Sequence, residues 1–402
     1  MNSLKDSSMI RRLIFSFFLL LSLTARAEND QYTVVISMDG FRWDYPIWYD
    51  TPFLDEIAEK GVSSSLIPSF PTKTFPNHYT LATGLYPDHH GIIANAFRDP
   101  ETGKSFSLGD PETKFDPRYY GGEPVWLTAQ KNGLHTAVFY WPGSDVAIKG
   151  QYPEHYYNYD AKPQLTFEER VDGIIKQLQK PEPDRPRLIM AYFEQPDAYG
   201  HYYGPSSKQT RRAVEQMDSL MRNLYYRIQG LPYADKVNLI LLSDHGMTHL
   251  GDNQQINIYD YIKKDWIEAA ESSIVTNIYV KKGCLKKVLE GLSKMPHVRY
   301  WKHGEVPAHF HYGNNPRVGD VIVLEDIGWQ LVTKQEKTPG GHGYDNYLYE
   351  MHALFRAIGP AFRHGEYPRF ENVNVYPLIC HLLGIEPAPC DGHIDKVKEM
   401  LQ

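Results

Sequence analysis

Six polar residues in four separated stretches have the types and spacing of a hydrolytic metal site. Asp197 and His201 are four residues apart, Asp244 and His245 are adjacent, and His342 stands among glycines in Gly340-Gly341-His342-Gly343. Asp39, followed by Gly40, completes three carboxylates and three imidazoles. Such donors suit Zn²⁺, with Mn²⁺ or another divalent ion as alternatives. Six donors exceed what one tetrahedral ion needs. They match two ions with three protein ligands each, leaving room on each for a nucleophile or substrate oxygen. Two ions a few ångströms apart form a clamp for in-line attack on phosphorus. A hydroxyl comes from Pro71-Thr72-Lys73-Thr74-Phe75-Pro76-Asn77-His78-Tyr79, just before a predicted helix over Pro76–Thr83. Thr74 has two readings: a helix N-cap worth about 1 kcal/mol, or a nucleophile. The second uses the helix N–H groups to hold a phosphate and a nearby cation to acidify the hydroxyl. Lys73 reads as structural or solvent-facing.

The elements that must position these residues are short apolar runs alternating with amphipathic stretches. Tyr32–Met38, Arg187–Phe193 and Val237–Ser243 read as buried strands, and Thr51–Lys60, Phe167–Gln179 and Thr210–Ile228 as helices. Each of the three strands runs into an acidic residue: Asp39, Glu194 with Asp197, and Asp244. In a parallel α/β sheet ligands bind outside the carboxyl ends of the strands, so these acids should converge. From 279 to 331 the texture changes to a small α+β insertion, expected to cap the site. It contains Ile278–Val280, a Lys-rich helix through Leu292, Val298–Trp301 and Asp320–Leu324, with a turn at Gly313-Asn314-Asn315-Pro316. Thr338–Gly343 reads as an irregular glycine-rich loop.

Composition narrows the class. The 402 residues, 42% hydrophobic and 23% charged, are ordinary for a globular chain and exclude collagen-like, coiled-coil and disordered readings. Three cysteines exclude a disulfide scaffold or a Cys-rich zinc fold. A net charge of −7 argues against a nucleic-acid polymer as the main partner. Lys5, Arg11 and Arg12, the apolar run Leu13–Leu23 and Ala25-Arg26-Ala27 make residues 1–27 a cleaved signal peptide, too short in its apolar part to span a bilayer. The expectation is therefore a periplasmic or secreted protein with no membrane anchor after cleavage. In that compartment Cys380 and Cys390 either pair or remain two buried thiols. The oligomeric state is left open.

The run Thr72–Asn95, T-K-T-F-P-N-H-Y-T-L-A-T-G-L-Y-P-D-H-H-G-I-I-A-N, resembles the nucleotide pyrophosphatase/phosphodiesterase family. F-Y-W-P-G-S-D (139–145), E-Q-P-D-A-Y-G-H (194–201), L-L-S-D-H-G-M (241–247) and G-G-H-G-Y-D-N (340–346) resemble its other signatures, in order along nearly the whole chain. The family lies in the alkaline phosphatase superfamily. The resemblance therefore implies an α/β fold whose central, mostly parallel mixed sheet is flanked by helices, here in a compact bacterial form. It implies Thr74 as nucleophile and two Zn²⁺. One would be held by Asp39, Thr74, Asp244 and His245, the other by Asp197, His201 and His342. Asn95 would donate to a phosphoryl oxygen. Phe75 and Tyr159 would hold a nucleotide base, with Leu108, Lys114, Trp141, Pro142 and Asp145 around it and Glu194 counted among the substrate contacts. Lys114 would meet a distal phosphate. Tyr156 and Tyr157 compete with Tyr159 for the stacking role.

One departure is Ala198-Tyr199, which puts a large ring where the family often has small residues. A crowded substrate channel is one outcome. The expected product is a nucleoside 5′-monophosphate. A choline-headgroup phosphodiesterase with the same metal core, a monoester phosphatase or sulfatase, and a periplasmic nucleotide- or zinc-binding protein are the competing readings. The C-x-P-x-R motif of sulfatases does not occur in the sequence.

Overall fold

The computed structural model describes residues 30–271, 274–334 and 337–402. The signal peptide expected over residues 1–27 lies outside them. The three runs expected as strands are neighbours at the centre of one sheet. Its strands are β1 (Tyr32–Met38), β2 (Val62–Ile67), β3 (Thr136–Phe139), β4 (His155–Tyr157), β5 (Leu188–Phe193), β6 (Val237–Leu242) and β7 (Ala353–Ile358). They lie in the order β2-β7-β6-β1-β5-β3-β4, and short segments at Gly365–Glu366 and Phe370–Glu371 extend the β2 edge. β1 is parallel to both β5 and β6, whereas β7 runs antiparallel to β2 and β6. The sheet is thus mixed and mostly parallel, as expected.

Why these runs are continuous in apolar residues is plain from the two cores. Val35, Val138, Met190 and Ile240 face one side with the helices Thr74–Thr83, Val125–Lys131 and Val375–Leu383. Val34, Ile36, Ile189 and Leu241 face the other, against Phe167–Leu178 and Lys208–Gln229. A strand covered on both faces needs apolar side chains at every position. Register sets the ends level: Ser37 lies beside both Tyr192 and Leu242. Asp39, Asp197 and Asp244 therefore follow the carboxyl ends of three central strands, on one side of the sheet.

The insertion begins earlier than position 279. Its antiparallel sheet runs Ile267–Glu271, Thr276–Val280, Val321–Glu325, Val298–Lys302, with the helix Leu285–Leu292 against it and a separate apolar core. Ile267–Glu271, sequence I-E-A-A-E, is mostly half-exposed, so no apolar run marks it. The chain enters the insertion through Gln255–Asn257 and leaves through Gln330–Val332, which pair in parallel. All three cysteines are free thiols, so Cys380 and Cys390 are not bridged. No helix among the described residues is long and apolar enough to cross a membrane.

Candidate active site

Close backbone packing brings the four stretches together. Gly40 takes φ +66°, and its N–H donates to Asp244 Oδ1 at 3.1 Å. A Cβ on Gly40 would lie 2.9 Å from Asp197 Cα, so only glycine lets the two strand ends approach. Asp197 and His201 open and nearly close the helix Asp197–Tyr203, one turn apart on one face. The loop carrying His342 is more ordered than expected, because Gly340–Gly341 pairs with Thr248–His249 just beyond His245.

The donors form two adjoining clusters. In one, His245 Nε2 lies 3.5 Å from Asp39 Oδ1, 3.1 Å from Asp244 Oδ2 and 3.2 Å from Thr74 Oγ1. In the other, Asp197 Oδ1 is 3.5 Å from His201 Nε2 and 3.6 Å from His342 Nε2, and those nitrogens are 3.1 Å apart. Tetrahedral ligands at about 2.0 Å from a zinc ion stand about 3.3 Å from one another. His245 and His342 stack at 3.6 Å, so the clusters share a wall.

These groups suit a cation and little else. His201, His245 and His342 each place Nδ1 against a backbone carbonyl, of Gly340, Gly246 and Thr72. A carbonyl only accepts, so each Nδ1 carries a proton, and in the neutral ring Nε2 presents a lone pair to the site. Burial lowers the pKa of His245 and His342, which favours the neutral ring, although Asp244 and Asp197 pull His245 upward. Asp39 Oδ1, Asp197 Oδ1 and Asp244 Oδ2 are buried without a hydrogen-bond partner. Burial, then Asp244 and Asp197, push the Asp39 carboxyl well above its usual range. Burial also acts upward on Asp244, but His245, His78 and the Gly40 N–H outweigh it and hold that carboxyl low. Facing lone pairs and orphaned carboxylate oxygens are costly unless a metal ion lies between them.

Two further residues support the clusters: Tyr192, which sequence reasoning missed, and His78, which reads from the sequence as structural. The Tyr192 hydroxyl donates to Asp39 Oδ2 at 2.6 Å. His78 donates from Nδ1 to Thr74 O at 2.9 Å, accepts from Ser37 Oγ at Nε2, and stands 3.3 Å from Asp244 Oδ2. The usable signal for Tyr192 was a phenol inside a fully apolar strand, which needs a partner when buried.

Thr74 is not the N-cap. The helix starts at Thr74 itself, Lys73 caps it without a side-chain bond, and the Thr74 hydroxyl turns to His245. Lys73 is buried, its ammonium donating to His342 O at 3.0 Å. Burial lowers its pKa to about 8, against the upward pull of Glu325 and Asp197. Glu325, buried in the sheet of the insertion, is pushed up to about 7 by burial. A carboxyl whose folded pKa is raised stabilises the fold fully below its unfolded value near 4.5, and this is lost as pH rises through about 7. Glu325→Gln does not titrate, so its unfolding temperature should improve relative to wild type between pH 5 and 7.5. A constant difference in a thermal-melt series would contradict this.

Beside Thr74 opens a cavity of about 210 Å³. Thr74, Phe75, Leu108, Lys114, Trp141, Pro142, Asp145 and Tyr159 line it, joined by Tyr140, Asp160 and Tyr192. Asn95 is not among the residues that line it, but its Oδ1 accepts from the N–H of the lining residue Phe75 at 3.0 Å. Trp141 is almost wholly buried, its indole N–H donating to His78 O. Tyr157 stacks on Phe139 and Tyr156 on Tyr152, which leaves Tyr159 as the ring that faces the cavity.

Three expectations change. Glu194 does not line this cavity, because Arg170 takes its carboxylate at 2.7 and 3.3 Å. The Lys114 ammonium is not free for a distal phosphate: it pairs with Asp160 at 2.9 Å and lies 5.7 Å from the Tyr159 ring centre. Tyr199 does not crowd the metal face. Two residues from Asp197 on a helix, it falls on the opposite side, beside Tyr203. A larger groove of about 590 Å³ between the helices Phe167–Leu178 and Lys208–Gln229 contains none of the metal-ligating candidates.

Comparison with known proteins identifies the family. Residues 33–345 match the family model for type I phosphodiesterase/nucleotide pyrophosphatase. Human ectonucleotide pyrophosphatase/phosphodiesterase family member 5 is 37% identical over 97% of this chain and 83% of its own length. The Bos taurus protein named bis(5′-adenosyl)-triphosphatase ENPP4 is 35% identical over 92% of this chain and 81% of its own. Murine ectonucleotide pyrophosphatase/phosphodiesterase 5 was solved as an inactive threonine-to-alanine variant in complex with AMP. It superposes with a TM-score of 0.88 at 35% identity, covering 92% of this chain and all of that one. The chain belongs to the type I phosphodiesterase/nucleotide pyrophosphatase family and is an enzyme of that class.

Proposed function

We propose that this enzyme is a di-zinc hydrolase that cleaves nucleotide phosphodiester or pyrophosphate bonds and releases a nucleoside 5′-monophosphate through a threonyl intermediate. The observation that carries the reading is that Thr74 belongs both to the donor cluster and to the wall of the aromatic cavity. Asp39, Thr74, Asp244 and His245 would hold one ion, and Asp197, His201 and His342 the other. The ions would supply Lewis-acid charge that acidifies hydroxyl groups and offsets negative charge on the phosphoryl group.

This chain's residues do the rest. Thr74 Oγ attacks phosphorus, forming one P–O bond as the bond to the leaving group breaks. Water then attacks the same phosphorus and returns the threonine. Two in-line displacements leave phosphorus with retained configuration. Asn95, its amide oxygen engaged by Phe75 N, has its NH₂ group left to donate to a phosphoryl oxygen. Phe75 and Tyr159 would stack the base, which supplies area without demanding one particular base.

The Lys114 ammonium disfavours a choline headgroup, because it already occupies the cavity beside the Tyr159 ring. We expect p-nitrophenyl thymidine-5′-monophosphate to be hydrolysed faster than p-nitrophenyl phosphorylcholine or p-nitrophenyl phosphate. A preference for phosphorylcholine would reverse the substrate assignment. The basic, apolar and small-residue pattern of residues 1–27 supports export to the periplasm or beyond.

A further inference from the structure

We infer that Arg317, a cap residue, is a positioning residue that holds Asn95 in place for the phosphoryl group; this rests on the role proposed above for Asn95. Asn95 sits in the segment from Gly91 to Arg98, and the cap grips that segment on both sides of it. Arg317 Nη1 donates to Gly91 O at 2.9 Å. Beyond Asn95, Arg98 N donates to the Tyr279 hydroxyl at 3.0 Å, and that hydroxyl donates to Arg317 O at 2.7 Å. Between them the Tyr312 hydroxyl lies 3.4 Å from Ile93 O.

The same guanidinium serves two more carbonyls, Tyr119 O and Arg118 O, each at 2.9 Å, and lies 4.9 Å from the Tyr119 ring centre. One planar fork on three carbonyls is a task for arginine, since a lysine ammonium lacks the spread donors. Gly91 is shaped to admit it: φ is +84°, and an added Cβ would lie 2.6 Å from Arg317 Nη1. The grip is returned by Asp88, whose carboxylate accepts Gly313 N at 2.9 Å and Asn314 N at 2.7 Å in the cap. The cap is therefore a fixed brace on the Asn95 segment. An error of an ångström in a group that meets the transition state costs about 10²-fold in rate.

The test is a double-mutant cycle on the zinc-loaded enzyme, using p-nitrophenyl thymidine-5′-monophosphate and checking each variant by thermal unfolding. Arg317→Met alone should lower kcat about 10- to 100-fold, with KM changed much less. Arg317→Lys should not restore it. In an Asn95→Ala background the same Arg317→Met change should cost no more than about 3-fold. Multiplying losses would overturn the inference while leaving the role of Asn95 intact. An unimpaired Asn95→Ala enzyme would instead remove the reading on which it rests. Should Arg317→Met fail to fold, Tyr279→Phe, which breaks the link to Arg98 N, takes its place in the cycle with the same expectations.

Discussion

Thr74→Ala should lower kcat/KM for p-nitrophenyl thymidine-5′-monophosphate by about 10⁴-fold or more, the scale of loss when a covalent nucleophile is removed. The fold should survive. Thr74 makes no capping bond, and at this first helical position alanine has at least the helix propensity of threonine. The metal clusters should also survive, since three protein ligands remain in each. Near-normal unfolding temperature and zinc content with activity gone is therefore the expected signature. A zinc-replete Thr74→Ala enzyme with wild-type turnover would eliminate the threonyl intermediate. Phosphorus stereochemistry gives an independent check, because a single displacement by water would invert configuration.

The second large effect is expected on metal removal. Chelation should abolish hydrolysis, and about two equivalents of zinc should restore it. It should also destabilise the protein, because the Asp39, Asp197 and Asp244 oxygens aimed into the site then have no counter-charge. An ion at 100 times its dissociation constant contributes about 2.7 kcal/mol to the folded state, enough for a shift of several degrees in Tm. His342→Ala should drop the zinc content by about one ion, since it belongs to a single cluster. Full activity after exhaustive chelation, or a Tm indifferent to zinc, would defeat the di-zinc assignment.

The parts of this molecule that were legible in its sequence are those where one physical demand dominates. Tyr32–Met38 had to be a central strand because it is apolar on both faces, and the acids after three such runs had to meet. Local demands that compete were harder to resolve. Thr74 satisfies both the N-cap and the nucleophile patterns, and only the direction of its hydroxyl separates them. Glu194 follows a central strand just as Asp39 does, yet Arg170, 24 residues earlier, claims its carboxylate. Ile267–Glu271 carries no apolar alternation to mark it, since its pairing with Thr276–Val280 supplies the order. Tyr192 and His78 work through other residues, and a contact across 153 positions, such as Tyr192 to Asp39, leaves no local trace.

The parallel pairing of Gln255–Asn257 with Gln330–Val332 has an evolutionary corollary. An excursion whose two stems lie side by side can be lengthened, shortened or exchanged without disturbing the strand order of its host. On the inference drawn above, any replacement of the segment between the stems must bring its own donor to the carbonyls now held by Arg317 and partners for Asp88 and Arg98 N. A chimaera that honours the stems and omits that donor would inherit the architecture and lose the speed.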